Sequence, residues 1–263
     1  MRPKKKFNSN IKFDIFDIES FIKKNKVEKK KYIVLESKKI KKIPNNIIKD
    51  LHQAYKYKEI INSFIIDYIK KTKDENTEDS KIKITNEINN FKKNYINNIL
   101  PKRINQKIVN VFSLSGADSF AKIQLVLRSF STSMGSLWEK IAICGQSSIS
   151  TENEFGIKIT GTDLISLIDN KPTYIQIKTM EDTLTGSQGP RSVNELGIHN
   201  HSFFAAAFNT GRTWHFKSNR IKKYRGEEFW SKIGLDYNHI LDEVKKMVKE
   251  VENKYYELTK IKN

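Results

Sequence analysis

The sequence predicts an α/β (α+β) protein in which helices flank a central mixed sheet. Apolar residues recur with helical spacing in three segments of the chain. Runs rich in β-branched residues surround a turn-forming sequence in the middle of the chain. All eleven glycines lie after residue 115, which separates a helical N-terminal part from a part rich in turns and strands.

The three helical stripes run from Ile47 to Tyr68, from Ile84 to Ile99 and from Leu241 to Leu258. Their apolar residues recur every three or four positions, which places them on one face of a helix. We therefore expect these faces to pack into a core. The third stripe has nearly heptad spacing, so a dimer contact is the alternative to packing within its own domain.

Two pairs of strands are predicted in the middle of the chain. The first is a hairpin with strands near 157–168 and 173–179 around a four-residue turn, Asp169 to Pro172. The second is predicted within 201–218, as a strand, a turn at 209–211 and a further strand. The predicted organisation is a helical, basic N-terminal region or arm, 1–110, followed by a core domain with a C-terminal helix, 111–263.

The charge of the chain favours a polyanionic partner. The sequence has 48 Lys and Arg against 30 Asp and Glu, a formal net charge of +18. Such a surface attracts nucleic acid first and an anionic membrane second. Compositional drift of a chain rich in Lys, Ile and Asn accounts for part of this excess, because such drift adds lysine without selecting for a partner.

Several classes of protein are disfavoured by the composition. No window approaches eighteen apolar residues, so we expect no membrane span and no membrane partner. The first residues are basic but lack the apolar run of a secretory signal. The one cysteine, Cys144, forms neither an internal disulfide nor a zinc cage by itself. We therefore expect a cytoplasmic protein.

The predicted hairpin brings together residues that carry chemistry. With Ile168 opposite Thr173, Asp163 lies opposite Lys178, and Gln176 points to the same side. Charged groups are costly to desolvate alone, and hard oxygen ligands such as these suit Mg²⁺. A lysine beside such an ion suits metal-assisted phosphodiester hydrolysis. The alternative is a cross-strand ion pair between Asp163 and Lys178.

Gly-Thr-Asp, twelve residues and then Gln-Ile-Lys resemble the motif of the PD-(D/E)xK nuclease superfamily, in its type II restriction endonuclease-like branch. The resemblance covers about 133–218 and implies a restriction-endonuclease-like core. It implies that Asp163 is the metal-binding aspartate and that Lys178 is the lysine of the motif. Gln176 stands where the family usually has Asp or Glu, which removes one negative charge from the metal site.

The family also tends to place an acidic residue on a helix before the hairpin. Glu139 is the candidate, as a metal ligand that supplies the carboxylate Gln176 lacks. The alternative is a capping box, in which Ser136 and Glu139 bond the start of their own helix. Glu152 and Glu154 are weaker rivals for the same role.

The polar segment after Lys178 is predicted to be a loop that meets DNA. Gln188, Arg191 and Asn194 have the donors and acceptors that read bases, whereas Arg212 and Lys217 suit phosphates.

The predicted function is that of a type II restriction endonuclease, which cleaves double-stranded DNA at a specific sequence with Mg²⁺ as cofactor. A homodimer would address both strands, and its symmetry predicts a palindromic target. A cognate DNA methyltransferase is expected as a separate protein. The alternatives are a DNA repair or junction nuclease of the same fold and a non-catalytic nucleic-acid-binding protein.

Overall fold

Helices cover both faces of a five-stranded mixed sheet. A computed structural model describes residues 35–36, 65–71, 79–155, 158–183, 188–215, 217–219 and 221–260. Within these ranges the helices are α1 Ser80–Asn94, α2 Leu100–Asn105, α3 Val111–Leu114, α4 Asp118–Ala142, α5 Thr151–Phe155, α6 Gln188–Leu196, α7 Glu227–Lys232 and α8 Tyr237–Lys260, with a helical segment at 65–71. The strands are β1 Leu35–Glu36, β2 Ser148–Ile149, β3 Lys158–Ile159, β4 Leu164–Ile168, β5 Lys171–Lys178, β6 Ser202–Ala206 and β7 Lys222–Arg225.

The sheet has the strand order β2-β4-β5-β6-β7. The strands β2, β4 and β5 are antiparallel neighbours, whereas β6 runs parallel to β5 and β7 runs parallel to β6. The connection from β5 to β6 contains α6, as a parallel pair requires a crossover. The predicted mixed sheet with flanking helices is therefore confirmed at this level.

The hairpin forms, but its predicted register is wrong. The turn has two residues, Asp169 and Asn170, with φ of +51° and +56°, and Ile168 pairs with Lys171. Positive φ at both positions is the type I′ geometry, whose twist matches that of paired strands. The register is therefore shifted by two residues from the predicted one. An even shift leaves the alternation of side chains along β5 unchanged.

The second predicted strand pair is only half right. The strand β6 lies where it was predicted. The further strand does not follow the turn at 209–211, because no strand occurs among the described residues between Arg212 and Ser218. The next strand is β7, and it is parallel to β6, so the two are not a hairpin.

The second and third apolar stripes form helices that pack in one core. Ile84, Ile88 and Phe91 are buried on α1, and Tyr95 is buried in the π-helical turn Tyr95–Ile99 that follows it. That turn precedes Pro101, which has no backbone N–H and therefore cannot donate the regular helical hydrogen bond. On α8 the buried residues are Ile240, Val244, Met247 and Val251, and α8 packs on α1 within the same chain.

The stripe that begins at Ile47 lies mostly outside the described residues. Its described end is helical, and Ile65 and Tyr68 are buried there. Residues of α1 and α2 share a core cluster with the sheet, α4 and α8. The boundary predicted at residue 110 stays a prediction, since most of region 1–110 lies outside the described ranges. None of the described helices is long and apolar enough to cross a membrane.

Candidate active site

Asp163 is held at the point where strand β4 begins. Its backbone amide donates to the carbonyl of Ile175 (2.9 Å), and its carboxylate Oδ2 accepts from the backbone amide of Ile177 (2.7 Å). Before it, a turn closes with the Thr162 amide donating to the Ile159 carbonyl (3.2 Å), and Gly161 takes a φ of +74°. The carboxylate therefore lies beside the residue between Gln176 and Lys178.

The predicted pairing of Asp163 with Lys178 is wrong in its register. Leu164 with Ile175 is the last pair of the ladder, and the Asp163 amide also donates to the Ile175 carbonyl, so Asp163 does not lie opposite Lys178. The cross-strand ion pair between Asp163 and Lys178 stays the alternative to a metal site.

The two faces of strand β5 meet different partners. Ile175 and Ile177 belong to a core cluster with Leu137, Trp138 and Ile141 of α4. Trp138 Nε1 also donates to Thr179 Oγ1 (3.0 Å), which fixes α4 against the end of β5. The alternate face, which carries Tyr174, Gln176 and Lys178, is the face toward α6, and the Tyr174 ring stacks on that of His199 just after α6.

Gln176 is a buried amide with an unused acceptor. Gln176 is only 8% exposed, and the Oε1 atom of its side chain has no hydrogen-bond partner among the described residues. The hydroxyl oxygens of Thr160 and Thr162, on the turn before Asp163, are likewise buried without partners in the described chain. Buried polar atoms are satisfied in the great majority of cases, so a group of this kind points to a ligand or water.

Lys178 lies on the same face as Gln176, at the end of β5. Its register partner on β6 is Ala206, and the partner of Ala206 on β7 is Arg225. Two cationic residues therefore share one row of the sheet, separated by the small Ala206. Neighbouring strands are about 4.8 Å apart, so the two backbones lie about 10 Å apart.

Glu139 lies on α4, on the opposite side of the sheet from α6. The predicted alternative of a capping box is wrong, because Ser136 lies in the interior of α4, which begins at Asp118. The Ser136 hydroxyl instead donates to the Ser133 carbonyl (2.9 Å). Of the weaker rivals, Glu154 accepts a hydrogen bond from the Tyr68 hydroxyl (2.8 Å). The role of Glu139 as a metal ligand stays a prediction.

The segment predicted to be a polar loop is in part the helix α6. Gln188, Arg191 and Asn194 lie on the exposed side of this helix. The loop prediction is wrong here because Gly189, Ser192 and Leu196 form a buried stripe with helical spacing. Of the two residues predicted to bind phosphates, Arg212 forms an ion pair with Asp182, and Lys217 is exposed.

A second acidic residue, Glu181, was not predicted and lies just after β5. Glu181 is fully buried and accepts from the Thr210 amide (3.1 Å), the Thr210 hydroxyl (2.7 Å) and Arg225 Nη1 (3.4 Å). Burial alone would raise the pKa of Glu181, but the hydrogen bonds from Thr210 and Arg225 outweigh it and leave the pKa lowered. These hydrogen bonds of Glu181 connect the segment after Lys178 to β7 and to Thr210.

A third acid near the site was also not predicted. Glu195 on α6 packs against the backbone of Gly161, two residues before Asp163. The only sequence signal for such a contact is the glycine itself, because a residue without a Cβ permits close approach.

The oxygen atoms gathered here fit a hard divalent cation. Asp163 supplies a carboxylate, and Gln176 supplies a buried amide oxygen without a partner in the described chain. Carboxylate and amide oxygens are the ligand types that Mg²⁺ takes in proteins. Among the described residues, no three side chains of His, Cys, Asp or Glu form a metal-binding group. A cation here would therefore depend on the amide oxygen as well as on carboxylates.

No known protein-family model matches the chain, and no curated protein is significantly similar to it.

Proposed function

We propose that the protein is a Mg²⁺-dependent DNA endonuclease of the type II restriction kind. One observation carries the proposal: the Asp163 carboxylate bonds to the backbone between Gln176 and Lys178, on the neighbouring strand. An aspartate on one strand of a hairpin and the Gln-x-Lys on the next are the arrangement that the PD-(D/E)xK resemblance implies. The helix α4, which carries Glu139, precedes this hairpin, as the same resemblance implies.

The proposed roles follow from the chemistry of the side chains. Asp163 and Gln176 would hold Mg²⁺ through their oxygen atoms. When bound, Mg²⁺ supplies Lewis acidity and lowers the pKa of a coordinated water. Lys178 would donate hydrogen bonds to the scissile phosphate and stabilise the negative charge that develops on it.

Basic and polar groups near this end of the sheet support a nucleic-acid substrate. Lys178 and Arg225 share a row, and Lys223 lies on the same face of the edge strand as Arg225. The exposed side of α6 and the net charge of +18 extend the surface on which a phosphate backbone would lie.

Plasmid cleavage tests the proposal with matched variants on the same hairpin. D163N and K178A should each lose at least ~100-fold of Mg²⁺-dependent cleavage while they retain DNA binding in a gel-shift assay. D169N and K171A change an acid and a lysine at the opposite end of the hairpin, where both are exposed, and should cut like the wild type. Equal cleavage by D163N and D169N would overturn the assigned roles.

The same assay separates the three candidate functions. Discrete fragments from linear duplex DNA indicate a restriction endonuclease, and a palindromic site supports the proposed homodimer. Preference for flaps, crossovers or ends indicates a repair or junction nuclease. Wild-type protein that binds DNA but never cuts it with Mg²⁺ indicates a non-catalytic binding protein. Protection of the fragments by methylation would support a separate cognate methyltransferase.

A further inference from the structure

The Glu195 side chain occupies the space where Gly161 lacks a side chain. A Cβ built on Gly161 would lie 2.5 Å from Glu195 Cβ and 2.9 Å from Glu195 Oε2. Gly161 also has a φ of +74°, so both its conformation and its close neighbour require glycine. The fold therefore brings one carboxylate oxygen of α6 directly over the turn that presents Asp163.

This turn already contains polar atoms that lack partners. The hydroxyls of Thr160 and Thr162 flank Gly161, and both are buried without hydrogen bonds among the described residues. Gln176 lies on the face of β5 that α6 covers, is 8% exposed, and has an Oε1 without a partner in the described chain. Glu195 thus approaches the same side of the sheet as the buried amide oxygen.

The ion pair of Glu195 with Arg191 does not account for this placement. Arg191 Nε donates to Glu195 Oε1 (2.7 Å), but the Arg191 side chain is 72% exposed, whereas that of Glu195 is 20% exposed. Exposed pairs four residues apart on a helix contribute little to stability and form without a neighbouring turn. The other oxygen, Oε2, is the one that lies over Gly161.

We propose that Glu195 is a cation ligand of this site and supplies the carboxylate that is missing at Gln176. The inference rests on the proposed function, because it takes Asp163 and Gln176 as the other ligands. Glu195 reaches the site from α6, on the face of Gln176, whereas Glu139 lies on α4 across the sheet. Two carboxylates and one amide oxygen then form a hard oxygen set with a net charge of −2.

Calorimetric titration with Mn²⁺ tests the ligand assignment without any turnover. Wild-type protein should bind Mn²⁺, and D163N and E195Q should each bind it at least about tenfold more weakly. E228Q changes an exposed glutamate on α7 and should bind like the wild type. E195D keeps the charge but shortens the side chain by one methylene, so it should also weaken Mn²⁺ binding. It takes the place of E195Q in the test if E195Q fails to fold.

The outcomes separate this inference from the proposed function. Loss of Mn²⁺ binding in D163N with unchanged binding in E195Q and E195D would overturn the role of Glu195 and leave the nuclease proposal standing. Absence of Mn²⁺ binding in the wild type would overturn both. Weaker Mn²⁺ binding by E195Q, with a circular dichroism spectrum like that of the wild type, supports the assignment of Glu195 as a cation ligand.

Discussion

The Asp163 carboxylate takes the backbone amide of Ile177 as its hydrogen-bond donor, at 2.7 Å, and this contact ends the pairing of β4 with β5. The last pair of the ladder is Leu164 with Ile175. The side chain of Asp163 satisfies the Ile177 amide, so the main chain is free to turn away through Gly161. This hydrogen bond thereby fixes the Asp163 side chain at the beginning of β4.

We predict that Asp163 contributes to stability separately from any role in catalysis. D163A should lower the free energy of unfolding by about 1–3 kcal/mol, because it leaves the Ile177 amide without its acceptor. D163N keeps a carbonyl oxygen and should cost less. Urea unfolding followed by circular dichroism measures both. Equal stability of D163A and D163N would contradict the contact.

We predict that a carboxylate at position 176 destabilises the fold without metal and that Mg²⁺ relieves this loss. In EDTA, Q176E should lower the free energy of unfolding by about 1–3 kcal/mol, because the position is 8% exposed. In excess Mg²⁺ it should recover, since a cation would pair with the new charge. Q106E, at an exposed glutamine, should show neither effect. Thermal melts in both buffers decide the outcome, and a loss that Mg²⁺ does not relieve would count against the site.

Gly161 and Gly234 offer a matched test of the contact with Glu195. Both have a φ of +74°, but a Cβ on Gly234 would meet nothing within 4 Å. G234A should therefore cost only the left-handed backbone penalty of about 1–2 kcal/mol. G161A should cost more, because Glu195 must also move. Chemical denaturation of both variants gives the difference, and equal losses would rule out a tight contact.

The stabilisation by Glu181 should depend on pH in one direction. The pKa of Glu181 is lowered in the folded protein, so ionisation is favoured there relative to the unfolded chain, where the carboxyl has the ordinary pKa value of glutamate. The contribution is present above that value and is lost as the pH falls through the folded pKa. E181Q should be about 1–2 kcal/mol less stable than the wild type at pH 7, and the gap should close at acid pH.

Denaturant titrations of wild type and E181Q between pH 3 and 7 test this. E228Q, at an exposed glutamate, should stay within about 0.5 kcal/mol of the wild type. A gap between wild type and E181Q that widened toward low pH would contradict the proposed hydrogen bonds to Thr210 and Arg225.

Local patterns predicted most of the elements. The spacing of Ile84, Ile88 and Phe91 predicted α1, and the β-branched runs around Asp169 predicted the hairpin, because burial of one face selects residues at fixed intervals. The same patterns did not fix the turn. Four polar or turn-forming residues allowed a longer loop, and only the twist of the paired strands selects the two-residue turn at Asp169 and Asn170.

The sequence by itself determined a basic chain, the helix and strand periodicities, and a hairpin with Asp163 just before its first strand and Gln176 and Lys178 on its second. Tertiary structure alone decided that Asp163 bonds to the Ile177 amide and that Glu195 lies over Gly161. The reason is distance along the chain. The Glu195 contact joins residues more than thirty positions apart, and it exists only because the β5-to-β6 crossover lays α6 on one particular face of the sheet, a choice that no local spacing encodes.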